Sequence, residues 1–216
     1  MIKLKDILLE NTAPNLLIPR RIEGRIDKII QTYIKNGSTG HLDLSNMNLT
    51  KFPDVLKYVD VGGSFYCDNN KLTSLVGAPE SVGGNFGCTN NQLTSLVGVP
   101  SVGYGFFCSD NQLTSLIGAP KSVGGSFYCH YNKLTSLKGA PESVGKTFTC
   151  YDNQLTSLEG APSSVGKTFS CYDNQLTSLV GAPSSVGEDF HCDFNAIKFT
   201  KEQVRAICNV KGMVYV

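Results

Sequence analysis

The sequence predicts an α/β repeat solenoid: a parallel β-coil with a non-helical convex side, an N-terminal capping helix and a C-terminal helix–strand cap. Three observations predict it. Cys67, Cys88, Cys108, Cys129, Cys150, Cys171 and Cys192 recur at intervals of 21, 20, 21, 21, 21 and 21 residues, and a fixed period of that size marks short coils stacked on their neighbours. Phenylalanine stands two residues before each cysteine, at Phe65, Phe86, Phe106, Phe127, Phe148, Phe169 and Phe190, which is strand periodicity with one face turned inward. Gly-Ala-Pro then follows the second leucine of the repeated phrase. Proline there blocks a regular helix on the return path and leaves extended chain or a short 3₁₀ stretch.

The chain has 216 residues, 41% of them hydrophobic, and a formal net charge of +1. That suits one domain with a real core, and the charge balance gives no basis for nucleic-acid binding. No apolar stretch reaches the length needed to cross a bilayer, so no membrane association is expected. Eight cysteines would suggest disulfides in a small secreted chain. Equivalent residues on adjacent parallel strands, however, lie about 4.8 Å apart and point the same way, whereas a disulfide wants Cβ atoms about 3.8 Å apart with a steep dihedral. Buried reduced thiols acting as small hydrophobes are therefore expected, in a reducing compartment. There is no C-x-x-C pair or dense Cys/His cluster, so neither a metal nor a cofactor is expected.

Aligned on the cysteine, one unit reads x-Phe-x-Cys-x-x-Asn-x-Leu-Thr-Ser-Leu-x-Gly-Ala-Pro-x-x-Val-Gly-x, with Asn70, Asn91, Asn111, Asn132, Asn153, Asn174 and Asn195 at the asparagine position. The unit resembles the leucine-rich-repeat family, whose pattern is L-x-x-L-x-L-x-x-N/C-x-L, with Phe for the strand's first leucine and Cys for its second. The resemblance runs over residues 40–199 and implies that each asparagine turns inward to bond the loop backbone of its own and adjacent coils. A chain leaving a strand inside a core exposes donors and acceptors that must be paired. Unit length and the Leu-Thr-Ser-Leu…Pro phrase look most similar to the short repeats of bacterial and phage proteins, including secreted effectors. Those effectors carry a separate catalytic ubiquitin-ligase domain, which the residues outside the repeats are expected to be too few to encode. Two units depart from the pattern. The opening coil has Met47 at the asparagine position, so its loop must be paired differently. The unit around Val99-Pro100-Ser101-Val102 lacks one residue before its valine, a deletion expected on the convex side and not in the strand.

A solenoid exposes apolar ends unless both are closed. Residues 1–19 read as a leader peptide and linker, 20–37 as the N-terminal capping helix, 38–199 as the repeats and 200–216 as the C-terminal cap. Ile22, Ile26, Ile29, Ile30, Tyr33 and Ile34 lie at helical spacing before the stop Asn36-Gly37, and Arg20, Arg21, Arg25 and Lys28 are expected on the wet side. Thr200-Lys201-Glu202-Gln203 fits a capping box. The helix is expected to turn Val204, Ile207 and Cys208 inward, end at Gly212, and lead into a last strand over 213–216.

The first ten residues contain Lys3, Lys5 and Asp6 and no small-residue cleavage site, so they are not a secretory signal. They resemble the capsid-targeting peptides of large contractile-tailed phages, which are cut after a Leu/Ile-x-Glu motif that Leu8-Leu9-Glu10 matches. The resemblance implies processing after Glu10, a mature chain beginning at Asn11, and an internal head or virion location instead of the bacterial cytoplasm alone. The alternative is a short amphipathic helix.

Residues alternating with Phe and Cys should point out from the concave face in columns. Phe107, Tyr128, His130, Tyr131, Tyr151 and Tyr172 concentrate aromatics in the middle and late coils beside Asp152 and Asp173. Exposed tyrosines beside carboxylates favour a protein-binding patch, because rigid amphipathic rings bury much area at little entropy cost. The alternative is a ladder that only supports adjacent strands, the rod then being a spacer or assembly element without a ligand. Catalysis finds little support. Alternation sends His191 and Cys192 to opposite faces, and Asp152 and Asp173 lack a cleft. The expectation is a non-enzymatic, monomeric module that binds a protein partner.

Overall fold

The computed structural model describes residues 24–216. The expectations placed on Glu10, Arg20, Arg21 and Ile22 concern residues outside that range. Helix α1 (Arg25–Lys35) buries Ile30 and Tyr33 and leans Ile26, Ile29 and Ile34 on the first coil, while Arg25 and Lys28 stay exposed. It stops where Gly37 takes φ 83°. The Tyr33 hydroxyl donates to the Ser38 carbonyl at 2.6 Å and accepts the Gly62 N–H at 3.2 Å, which ties the helix to the coil beneath it.

The coils form a parallel β-solenoid. Its front is a nine-stranded parallel sheet of two-residue strands in sequential order. It runs from Leu42–Asp43 through Phe65–Tyr66, Phe86–Gly87, Phe106–Phe107, Phe127–Tyr128, Phe148–Thr149, Phe169–Ser170 and Phe190–His191 to Val214–Tyr215. Phenylalanine pairs with phenylalanine from rung to rung, as Phe148 with Phe169. All seven of these rings are fully buried, each worth about 2–3 kcal/mol of transfer free energy.

The front sheet bends. In two adjacent coils the inward rings of Phe148 and Phe169 lie 5.5 Å apart, nearly parallel at 5°, while the outward rings of Tyr151 and Tyr172 lie 4.4 Å apart at 9°. Strands in a sheet are about 4.8 Å apart, so equivalent points draw together outside the sheet and spread inside it. The outward side of the front sheet is therefore concave.

The convex side is non-helical, with a single 3₁₀ turn at Leu56–Tyr58 among the described residues. Sequence reasoning missed that the Ser-Val-Gly segments also pair, into back sheets of three and five strands. The first joins Asp60–Val61, Ser81–Val82 and Ser101–Val102; the second joins Ser122–Val123, Ser143–Val144, Ser164–Val165, Ser185–Val186 and Asn209–Val210. The break falls after Val102, in the unit with the missing residue, whereas Phe86, Phe106 and Phe127 remain in register on the front sheet. The deletion is thus absorbed at the back. A shortened return path cannot keep both sheets in register, and the front holds because its inward Phe and Cys side chains are fully buried.

At the far end, Thr200 and Gln203 form a reciprocal capping box before helix α2 (Lys201–Ile207). Two details correct the sequence reading. The helix ends at Ile207 and not at Gly212, because Asn209–Val210 leaves to extend the back sheet beside Ser185–Val186. Ile207 is 48% exposed, while Val204 and Cys208 are buried. The Arg205 guanidinium donates to the carbonyls of Val210 (2.7 Å) and Gly212 (2.8 Å), pinning the connection that Gly212 was expected to terminate.

Candidate partner-binding face

The site stands on two buried ladders. All eight thiols are free and buried. Four of the ladder thiols donate to a carbonyl of the next rung, among them Cys67 to Gly87 at 3.2 Å and Cys129 to Thr149 at 3.2 Å. Burial raises the Cys67 and Cys88 thiols well above their ordinary range, and neighbouring Asp68 adds to the effect at Cys67. They are packing groups, since the reactive species is the thiolate.

The asparagines hold the loops that leave the strands. Asn153 Nδ2 donates to Cys129 and Cys150 carbonyls at 3.1 Å and to Tyr151 at 3.2 Å, while its Oδ1 accepts the Leu134 N–H at 2.9 Å. Asn91, Asn111, Asn132, Asn174 and Asn195 repeat this set. Met47 leaves a gap that the following coil fills: Asn70 Oδ1 accepts from Met47 (3.0 Å) and Leu49 (2.9 Å), and Nδ2 donates to Leu44 (2.9 Å).

Above these ladders the outward aromatics meet. Phe107 stacks on Tyr128 at 5.0 Å, and His130, Tyr151 and Tyr172 form a column with centroids 4.4 Å apart at each step. Tyr128 and His130 join the two columns at 5.9 Å. His130 Nδ1 lies 3.0 Å from Ser109 Oγ and 2.9 Å from Thr149 Oγ1, so the imidazole is held by coils on both sides. Burial lowers the His130 pKa, with Asp110 acting against the shift. Burial, then Tyr172 and Tyr131, push the Tyr151 hydroxyl up to about 12. At neutral pH the column is therefore uncharged.

One feature escaped sequence reasoning. The residue two after each cysteine is not simply the next outward position, for Asn69, Asn90, Asp110, Tyr131, Asp152, Asp173 and Phe194 all have φ between 52° and 55°. Asn and Asp tolerate left-handed backbone because their short polar groups bond locally; a bulky aromatic there is an outlier. The signal was present as Asn or Asp in five of seven units. Tyr131 sits in this conformation with its ring edge-on to Tyr151 at 5.4 Å and 82°, and 5.5 Å from His130. Asp152 is half-buried beside it, its carboxyl raised by burial and then by Asp173 and Asp110, and Asp173 is exposed. Phe107, Tyr128, His130, Tyr131, Tyr151, Asp152, Tyr172 and Asp173 thus share one continuous patch.

Among the described residues no group of three His, Cys, Asp or Glu side chains could hold a metal ion. A groove of about 540 Å³ runs along the back sheet between Ser143, Gly145, Ser164 and Gly166, away from the aromatics. No helix of the described residues is long and apolar enough to cross a membrane.

No protein-family model matches the chain, and no curated protein matches it significantly. Solved structures similar to it include a leucine-rich-repeat domain of a Shigella effector, with a TM-score of 0.64 and 20% identity over 91% of each chain. The architecture is therefore that of a leucine-rich-repeat solenoid.

Proposed function

We propose that the protein is a non-enzymatic recognition module that binds a protein partner through its concave face. The observation that carries this is Tyr131. Left-handed backbone costs a non-glycine residue about 1–2 kcal/mol, and a ladder that served only the strands would keep Asn or Asp here, as Asn69 and Asn90 do. The strained tyrosine instead widens an aromatic patch rimmed by carboxylates, and strain of this kind clusters at functional sites. The leucine-rich-repeat architecture supports the same reading. Affinity capture from a bacterial lysate tests it, comparing wild type with Tyr151→Ala and Tyr172→Ala and re-titrating any captured protein in purified form. Binding is expected to fall more than tenfold, as for truncated hot-spot rings; unchanged binding sinks the reading.

A second reading is favoured by the parallel stacking itself: His130, Tyr151 and Tyr172 tie coil to coil in a rod that serves as a spacer or assembly element. It predicts that the same alanines reduce stability and affect no interaction. The finer placement as an internal phage-head protein draws on Leu8-Leu9-Glu10. N-terminal sequencing of the protein from its native source is expected to start at Asn11, and an intact Met1 removes that placement. A monomer in the bacterial cytoplasm before packaging completes the proposal.

A further inference from the structure

The aromatic column ends at Tyr172. Tyr151 is stacked on both faces and His130 is held on its other side by Ser109, 3.0 Å from its Nδ1, but among the described residues no ring covers the far face of Tyr172. The next coil continues in register, Phe169 pairing with Phe190 and Ser170 with His191. The register places Asp193 where a further ring would continue the stack. The Asp173 N–H donates to the Asp193 carbonyl at 3.1 Å, so the two coils are in direct contact there. Phe194 stands beside this position at 78% exposure, and His191 closes the other side by stacking on Tyr215 at 4.2 Å.

Charge follows the same division. The positions one before, one after and two after each ladder cysteine contain Asp68, Asp110, Asp152, Asp173 and Asp193 and no lysine or arginine, although the chain as a whole carries a net charge of +1. The Asp68 carboxylate is engaged by the Thr89 N–H at 2.7 Å. Among the described residues the side chains of Asp110, Asp152, Asp173 and Asp193 form no salt bridge, the pair found being Lys167–Glu188, away from these positions. An uncovered aromatic face with unpaired carboxylates beside it calls for a planar cation. A guanidinium stacks on a ring within about 6 Å of its centroid and offers a fork of N–H donors that a carboxylate accepts in pairs, which an ammonium group does not.

We propose that the partner presents an arginine to this slot, its guanidinium lying on Tyr172 and donating to Asp193, with Asp173 adding to the local negative charge. The inference rests on the protein-binding reading and names the chemistry of the segment bound. The slot lies at the late end of the patch, so Phe107, Tyr128 and Tyr151 remain available for the apolar part of the same segment.

The test is a titration of ¹⁵N-labelled protein with acetyl-Gly-Arg-Gly-amide, alongside the lysine and citrulline versions of the peptide. Saturable shifts are expected at the amides of Tyr172, Asp193 and Phe194, with citrulline binding about tenfold more weakly and lysine more weakly than arginine. D193N, nearly isosteric and on the surface, is expected to weaken the arginine peptide about tenfold with unchanged thermal unfolding. Y172L is a second variant that removes the ring and leaves the carboxylate. Shifts that do not saturate, that spread evenly over distant carboxylates such as Asp54 and Asp60, or that survive in D193N overturn the proposal. So does equal binding of the lysine peptide. A captured partner lost in Y151A but retained in D193N overturns the arginine slot while leaving the protein-binding reading intact.

Discussion

Asn153 Oδ1 accepts the backbone N–H of Leu134 at 2.9 Å, reaching into the preceding coil from 19 residues along the chain. Its amide group also donates to carbonyls of both coils. One buried side chain therefore satisfies backbone groups that have no strand partner. Losing it leaves several buried polar groups unpaired, at about 1–3 kcal/mol each. Asn153→Ala is expected to destabilise the protein by about 3 kcal/mol or more in urea denaturation. Asn195→Ala should cost clearly less, because Asn195 is only half-buried in the last regular coil. Equal losses at the two positions would contradict this account of the ladder.

The thiol ladder makes stability depend on alkaline pH. Burial raises every ladder thiol above its ordinary value of 9.0, Cys192 to about 12 and Cys208 in the cap to about 11. An acid whose pKa is raised by folding stabilises the native state fully below the unfolded value. That contribution is lost as pH rises toward the folded value, because only the unfolded chain releases the proton. Each thiol therefore removes up to about 1.4 kcal/mol per pH unit above about pH 9. The urea midpoint is expected to hold from pH 7 to about 8.5 and to drop steeply by pH 10. Cys150→Ala should make that drop shallower, and an identical pH slope in the variant would count against the mechanism.

The front of the molecule was legible because its code is local. Phe148 and Cys150 alternate with Thr149 and Tyr151, and two-residue periodicity sets which faces the core. The back sheet was less so: Ser143-Val144 is a dipeptide between Pro141-Glu142 and Gly145, too short for alternation, and it becomes a strand only through the coils on either side. Ile207 misled for a related reason. Helical spacing marks it as inward, but Asn209–Val210 departs for the back sheet and leaves that flank of α2 open. The patch residues could be read individually, whereas the left-handed backbone at Tyr131 and the open face of Tyr172 follow from stacking geometry that only the assembled coils define.

Tyr131 sets stability against recognition. Asparagine at this position would relieve about 1–2 kcal/mol of left-handed strain, while the edge contacts to Tyr151 and His130 at a half-wet surface return about 0.5 kcal/mol. The strain term is larger, so Tyr131→Asn is expected to stabilise the fold by about 1 kcal/mol. Partner capture should weaken in the same variant. Calorimetry beside the capture assay checks both signs, and a destabilised Tyr131→Asn would mean that the ring supports the coil.

Gly139 and Gly37 separate conformation from contact. Both have positive φ, 90° and 83°. A Cβ on Gly37 would meet nothing within 4 Å, whereas one on Gly139 would lie 2.6 Å from the Ile117 nitrogen and the Leu116 carbonyl carbon. Those are backbone atoms of the preceding coil, which cannot yield unless the coils part. Gly37→Ala should therefore cost only the left-handed penalty of about 1 kcal/mol. Gly139→Ala adds the clash and should exceed about 4 kcal/mol, enough to unfold the coil locally. Proteolysis near residue 139 then becomes faster in Gly139→Ala alone, since opening exposes the return path of that coil. Equal thermal shifts for the two alanines would show that the coils are not held at this glycine contact, and that spacing between rungs is set by the Phe and Cys ladders alone.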